Sequence, residues 1–103
     1  MIKVSVIYPN DEGSTFDMDY YLATHIPLCQ QLLGPALLKA EVDEGLSGAA
    51  PDSRPPFVAA VHMYFESTAA FYEAFGPNAK AIRSDVPNYT SIKPLTQIAK
   101  VRE

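Results

Sequence analysis

Residues 57–65, FVAAVHMYF, predict the centre of a β-sheet. The segment is apolar at odd and even positions alike, with His62 as the exception. Strands that are covered on both faces have continuous apolar sequences, whereas a strand with one wet face alternates between apolar and polar residues. We therefore expect Phe57–Phe65 to be a central strand, paired beside the first strand of the chain.

Three further strands are expected around this segment. Ile2–Tyr8, IKVSVIY, has the period-2 pattern of a strand, and Ala36–Glu44, ALLKAEVDE, alternates apolar with charged residues as an edge strand does. The stretch Gly45–Pro56 holds two glycines and three prolines and predicts a loop. The last strand is expected at Tyr89–Val101, at the other edge because Pro94 disfavours a central position.

The longest helical pattern is Phe16–Gly34, FDMDYYLATHIPLCQQLLG. Asp17 is a candidate N-cap, and Gly34 followed by Pro35 is a stop sequence. The residues spaced three and four apart on its apolar face are Met18, Tyr21, Leu22, His25, Cys29 and Leu32. We expect one amphipathic helix that buries this face.

Pro27 and His25 are energetically unfavourable residues in this helix. Pro27 lacks an N–H group and clashes with the preceding turn, so the helix should break or bend near Ala23 to His25. His25 lies on the core side and must find a hydrogen-bond partner or line a polar cavity. It is therefore either a core histidine bonded to a tyrosine or carbonyl, or a functional residue.

A second helix is expected after the central strand. Ser67 is a candidate N-cap, and the core-facing residues are Phe71, Tyr72, Ala74 and Phe75. Gly76 and Pro77 interrupt the helix, which can resume through residues 79–82. The segment DVPNY, residues 85–89, then predicts a turn.

The predicted order is strand, helix, strand, strand, helix, strand. This order is that of the ferredoxin-like βαββαβ fold, of the α+β class, with a four-stranded antiparallel sheet in one domain spanning residues 1–103. In this fold the first and third strands are central and the other two are edges. The helices cover one sheet face, and the apolar character of both faces of Phe57–Phe65 predicts that a second copy covers the other. We expect a homodimer.

Composition excludes several partner classes. A formal charge of −4 without a cluster of Lys or Arg disfavours nucleic acid and anionic membranes as partners. Cys29 is the single cysteine, so no internal disulfide or cysteine metal site is expected. With neither a signal-peptide pattern nor a membrane-length apolar run, we expect a cytoplasmic protein.

His25 is the main candidate catalytic residue. Desolvation in an apolar cleft disfavours a charged imidazole, which leaves a ring that can accept a proton. The candidate substrate-binding residues are Tyr21, His62, Tyr64 and Tyr89, with Tyr20 and Tyr72 as further phenols. His62 faces either the cleft with His25 or the partner sheet.

Other polar residues are expected to be structural. Asp85 and Asn88 lie in a turn, where short polar side chains usually bond their own backbone. Cys29 has no basic partner near it in the sequence and is expected to be a buried, inert thiol. No metal-ligand spacing or phosphate loop is present, haem would have one axial candidate in His25 or His62, and we expect no cofactor.

Several segments together resemble the EthD family of the dimeric α+β barrel superfamily. They are VSVIYP (4–9), FDMDYYLATHIPL (16–28), GLSGAAP (45–51), FESTAAFYEAFGP (65–77), DVPNYT (85–90) and TQIAKV (96–101). The resemblance implies a homodimeric barrel with a small-molecule cleft between sheet and helices. It also assigns His25 to the family's Tyr, His and Pro segment.

The resemblance implies an oxidoreductase or an accessory factor in the catabolism of a small, apolar, oxygen-bearing metabolite. Similar barrels include cofactor-free isomerases and cyclases of the muconolactone isomerase and polyketide cyclase types, so the fold alone does not select a reaction. Two further alternatives are a non-catalytic small-molecule binding protein and a structural dimer without a ligand. A cleft with a polar end around His25 favours a ligand, whereas a closed core there favours the structural dimer.

Overall fold

The sheet of the computed structural model, which describes residues 1–103, has four antiparallel strands. They are β1 (Ile2–Pro9), β2 (Lys39–Glu44), β3 (Phe57–Phe65) and β4 (Leu95–Lys100), in the spatial order β2-β3-β1-β4. The central positions of β1 and β3 and the edge positions of β2 and β4 confirm the expected ferredoxin-like topology. Ser5 of β1 pairs with His62 of β3, which places both side chains on the same sheet face.

Two strands start later than the sequence predicts. The segment Gly34–Ala36 forms a 3₁₀ turn, because Gly34 has a φ of 62° and Pro35 suits the first turn of a helix, so β2 begins at Lys39 rather than Ala36. The segment before β4 is likewise irregular, and Thr90 forms an isolated bridge with Phe16. The expected strand start at Tyr89 is therefore wrong by six positions, since β4 begins at Leu95.

The first helix is continuous but contains a π-helical turn. It consists of α1 (Met18–Tyr20), the π turn (Tyr21–His25) and α2 (Ile26–Leu33). The Asp17 side chain accepts a hydrogen bond from the backbone N–H of Tyr20 at 3.0 Å, which confirms the N-cap.

Pro27 follows the π turn directly. The N–H of Ile26 donates to the carbonyl of Tyr21, five residues back, so the turn is wider than in an α-helix. The expected distortion before Pro27 is confirmed as a widened turn, although the helix does not break. The turn changes which residues face inward: Leu22, expected on the apolar face, is 49% exposed.

The second helical region also follows the sequence pattern. Ser67 caps α3 (Thr68–Phe75) by accepting from the N–H of Ala70. A 3₁₀ turn at Gly76–Asn78 separates α3 from α4 (Ala79–Asp85). The buried hydrophobic residues pack on one sheet face in two clusters. They comprise Val4, Cys29, Leu33, Phe65, Phe71 and Ile82, and Tyr8, Tyr21, Ala59, Val61, Tyr89 and Ile92. No helix has the length and apolar character needed to cross a membrane.

The other sheet face, here called the open face, is only partly apolar. Ile7, Val58, Ala60 and Leu95 supply its apolar part. Ser5 Oγ lies 2.8 Å from His62 Nδ1, and His62 Nε2 lies 3.1 Å from Asp43 Oδ2. The charged residues of β2 therefore extend along one side of this face, because Glu41 pairs with His62 and Asp43 with Ala60.

Candidate functional site

A cavity of about 310 Å³ lies between the helices and the sheet face that they cover. Of its 20 lining residues, 16 are hydrophobic. Small-molecule sites have this character, and the volume falls at the lower end of their usual range of roughly 300–1,000 Å³. The space suits a small ligand with an apolar body.

Four aromatic residues form the inner end of the cavity, and we call them the Tyr–His cluster. They are Tyr8 at the end of β1, Tyr21 and His25 in the π turn, and Tyr89 after α4. The His25 ring centroid lies 4.6 Å from that of Tyr89 and 5.4 Å from that of Tyr21. All four side chains are buried, and His25 is only 4% exposed.

Asp85, the last residue of α4, anchors the His25 ring. Nδ1 of His25 lies 2.9 Å from Oδ2 of Asp85, while Oδ1 accepts from the Tyr20 hydroxyl at 2.7 Å and from Asn88 Nδ2 at 3.0 Å. Burial raises the pKa of Asp85, but the hydrogen bonds from Tyr20, Asn88 and His25 outweigh it and hold the pKa below 3.8.

The ionised Asp85 fixes the tautomer of His25. A carboxylate only accepts hydrogen bonds, so Nδ1 of His25 must carry a proton. In the neutral ring Nε2 then has a free lone pair, and Nε2 is the atom whose protonation can change. Its neighbours are the Tyr89 hydroxyl at 3.4 Å and the Cys29 sulfur at 3.5 Å, both at residues that line the cavity.

The phenols of the Tyr–His cluster are hydrogen-bond donors. The Tyr8 and Tyr89 hydroxyls lie 2.7 Å apart, while the buried Tyr21 hydroxyl has no hydrogen-bond partner in the protein. Burial raises the pKa of all three tyrosines, so their hydroxyls stay protonated at neutral pH. A ligand oxygen at this end of the cavity would therefore meet donors.

Cys29 differs in part from its expectation. It is buried, as predicted, but His25 lies one turn earlier and supplies the basic neighbour that the sequence analysis did not assign. Burial, followed by the charge of Asp85, raises the pKa of the thiol to about 11. The thiol is therefore neutral at pH 7 and can donate weakly to Nε2.

Comparison with known proteins identifies the family. A family profile described as the EthD domain matches residues 13–93. The chain belongs to the EthD family.

Solved structures and a curated sequence show the same relationship. An EthD-like protein of Ralstonia eutropha JMP134 is 39% identical, with a TM-score of 0.95 over 99% of this chain and 92% of its own. An EthD family protein of Bacillus halodurans C-125 shares the fold at 22% identity, with a TM-score of 0.74 over 98% of each chain. An 11.0 kDa protein from the thcB-thcC intergenic region of Rhodococcus erythropolis, described as uncharacterized, is 30% identical over 88% of this chain and 85% of its own.

The structure of this EthD-family protein separates the predicted site residues into two groups. Tyr21, His25 and Tyr89 meet in the cavity. His62 and Tyr64 lie on the open face, where His62 contacts Ser5 and Asp43 and Tyr64 donates to Glu41 at 2.9 Å. The structure thus places His62 toward the open face, the second of the two orientations considered, and brings neither residue into the cavity.

Sequence reasoning missed two members of the site of this EthD-family protein. Asp85, expected to bond its own backbone, instead binds His25 from 60 positions away. Asp85 is the last residue of a helix, where a negative charge interacts unfavourably with the helix dipole. This unfavourable position is the local feature that could have indicated a special role. Tyr8 had no such sign, because it continues the apolar alternation of β1. No group of three or more His, Cys, Asp or Glu side chains is arranged to hold a metal ion.

Proposed function

We propose that this EthD-family protein binds a small, largely apolar molecule with a carbonyl or hydroxyl oxygen and moves a proton on it with Nε2 of His25. The observation that supports the proposal is the His25–Asp85 pair at the inner end of an apolar cavity. A histidine with one nitrogen bonded to a carboxylate and the other facing a ligand space has the geometry of a general acid or base. Asp85 is then a positioning residue.

The donors around His25 suit a reaction through an enol or enolate. Nε2 would remove a proton from a carbon next to a carbonyl, and the electron pair of that C–H bond would move to the carbonyl oxygen. The hydroxyls of Tyr21 and Tyr89 would donate to this oxygen as its negative charge grows. Where the enolate is conjugated with a C=C bond, return of the proton from Nε2 to the far carbon of that bond moves the double bond and completes an isomerisation. Where the enolate carbon instead attacks a second carbonyl carbon of the same molecule, the electron pair of that C=O bond moves to its oxygen, which takes the proton from Nε2 and completes a cyclisation.

This proposal favours the isomerase or cyclase alternative over an oxidoreductase. Proton transfer needs only His25, Tyr21 and Tyr89, which line the cavity. The oxidoreductase role follows from the family resemblance alone. A non-catalytic binding protein would use the same cavity and donors, so the test must separate binding from turnover.

We also propose that the molecule is a homodimer that pairs two open faces. The apolar side chains of Ile7, Val58 and Ala60 lie side by side on β1 and β3, and Leu95 beside them is 59% exposed. Apolar surface of this kind is stabilised by burial against a second sheet.

Screening for thermal stabilisation by small carbonyl compounds, followed by NMR of the hits in D₂O, tests the proposed activity. The wild type is expected to exchange protons next to the carbonyl, and His25→Asn to slow this exchange by about a hundredfold to ten-thousandfold. Tyr72→Phe is the matched control, because Tyr72 lines the cavity but its side chain makes no hydrogen bond. Hits that bind but exchange equally fast with wild type and His25→Asn would contradict proton transfer and identify a binding protein.

A further inference from the structure

The outer end of the cavity differs chemically from the inner end. Tyr72, Arg83 and Thr96 line it and are exposed, with Tyr72 at 58%. Apart from His25, whose charge depends on protonation, Arg83 is the only lining residue of a type that is charged at neutral pH. The cavity therefore runs from the buried Tyr–His cluster to an opening with one permanent positive charge.

The guanidinium of Arg83 has no anionic partner in the protein. It forms no salt bridge and donates no hydrogen bond, so its N–H groups are free for a ligand. The nearest acidic position on the same helix, Asp85, is two residues away, and residues at that spacing do not face each other on a helix. Asp85 is in any case bonded to Tyr20, Asn88 and His25.

Packing restricts where this guanidinium can lie. Its central carbon is 5.4 Å from the centroid of the Phe75 ring, and Phe75 also lines the cavity. Stacking on an aromatic ring reduces the conformational freedom that an arginine loses when it binds a ligand. The Thr96 hydroxyl, which has no partner in the protein, adds a second polar group at the same opening.

We infer that the ligand is an organic acid whose carboxylate binds Arg83 while its apolar body fills the cavity. A guanidinium matches a carboxylate with two parallel hydrogen bonds, and such charge-assisted pairs are stronger than neutral ones. The formal charge of −4 gives the molecule as a whole no attraction for anions, so a local cation is needed to hold one. This inference rests on the proposed function, because the carbonyl end of the same acid would reach the Tyr–His cluster.

Matched acids and esters test the inference. The probes are 4-acetylbenzoate and 6-oxoheptanoate, each with its methyl ester, titrated by NMR or calorimetry at pH 7 and low ionic strength. In the wild type each acid is expected to bind about tenfold to a hundredfold more tightly than its ester. Arg83→Gln should remove this preference and leave ester binding unchanged, and Arg83→Lys should retain part of it.

Two control variants complete the test. Lys80→Gln removes a positive charge from the same helix at a residue outside the cavity, and should leave the preference for the acid intact. The preference should also persist in His25→Asn, and its loss there would assign it to His25 and overturn the inference. Equal binding of acid and ester, no acid binding at millimolar concentration, or equal loss of both in Arg83→Gln would likewise overturn it.

The same samples distinguish this inference from the proposed function. Exchange of the protons beside the ketone of the bound acid reports on His25. Arg83-dependent acid binding without His25-dependent exchange would refute proton transfer and leave the anion site standing. His25-dependent exchange without a preference for the acid would refute the anion site alone.

Discussion

Replacing Asp85 with Asn is expected to reverse the tautomer of His25. The Asn side chain has one oxygen, which would take the position that accepts from the Tyr20 hydroxyl and Asn88, and its NH₂ group would then face Nδ1. An NH₂ group donates, so Nδ1 must become the acceptor and the proton must reside on Nε2. The atom beside the ligand space would change from acceptor to donor, and the base would be lost.

The three hydrogen bonds of Asp85 set the size of the effect. They measure 2.7, 3.0 and 2.9 Å to a side chain that is 12% exposed. A hydrogen bond to a charged group contributes roughly 1.5–3 kcal/mol and a neutral one about 0.5–1.5 kcal/mol. The smaller desolvation cost of a neutral amide offsets part of this difference, so we expect a loss of about 1–3 kcal/mol in the free energy of unfolding. Proton transfer should slow by about a hundredfold to ten-thousandfold.

The effect on stability should depend on pH. The pKa of Asp85 is lower in the folded than in the unfolded state, so its contribution is fully present above the ordinary value of 3.8. It is lost as the pH falls below that value, through the folded-state pKa. The stability difference between wild type and Asp85→Asn should therefore narrow as the pH falls below about 4.

Long-range ¹H–¹⁵N correlation spectra of histidine-labelled protein measure the tautomer directly and need no substrate. Asn88→Ala is the control, because it removes one hydrogen bond from the same carboxylate and leaves the charge and the His25 contact in place. Asn88→Ala should lower the free energy of unfolding by about 1 kcal/mol without changing the tautomer of His25. A wild-type His25 protonated on Nε2 alone, or an unchanged tautomer in Asp85→Asn, would refute the reasoning.

Three further predictions concern Tyr21, Cys29 and the open face. Tyr21→Phe removes an unpartnered buried hydroxyl and should leave the free energy of unfolding unchanged or raise it by up to about 3 kcal/mol. Tyr89→Phe removes a bonded hydroxyl and should lower it. A lower melting temperature in Tyr21→Phe would show that the Tyr21 hydroxyl has a partner within the protein. Because the pKa of Cys29 is raised to about 11, its alkylation by iodoacetamide should accelerate about tenfold per pH unit through pH 9, and a plateau below pH 9 would contradict this. Light scattering at micromolar concentration should give a dimer for the wild type and a monomer for Ala60→Arg, which puts a charge on the open face, and a monomeric wild type would remove the basis for the barrel.

The elements that local sequence determines were predictable. Asp17 and Ser67 cap their helices by bonding N–H groups three residues later, and the apolar run Phe57–Phe65 forms the predicted central strand. The starts of β2 and β4 were not predictable. Gly34 ends the first helix and begins a 3₁₀ turn, and residues after Tyr89 bond to the segment around Thr15 instead of β1.

Only the part of the site that lies on one helix could be predicted from the sequence. His25 and Tyr21 lie on one side of one helix, so spacing placed them together. The contact between His25 and Asp85 joins positions 60 apart, and that between Tyr8 and Tyr89 joins positions 81 apart. No short-range pattern in the sequence predicts either contact, because each forms only when β1, the first helix and the end of α4 pack together. The sheet face of His62 likewise depends on which side of β3 the helices cover.

The π turn makes the length of the first helix as important as its composition. Tyr21, His25, Cys29 and Leu33 are buried at every fourth position, and residues 22–24 within the turn are exposed. A π turn holds one residue more than an α turn, so deletion of any one of these exposed residues would convert it into an α turn instead of rotating the helix that follows. Cys29 and Leu33 would then keep their direction, but Tyr21 and His25 would lie three positions apart instead of four, and the stacking of their rings would change. Homologues that retain this site are therefore expected to keep the same number of residues between Asp17 and Gly34, even where the exposed residues differ.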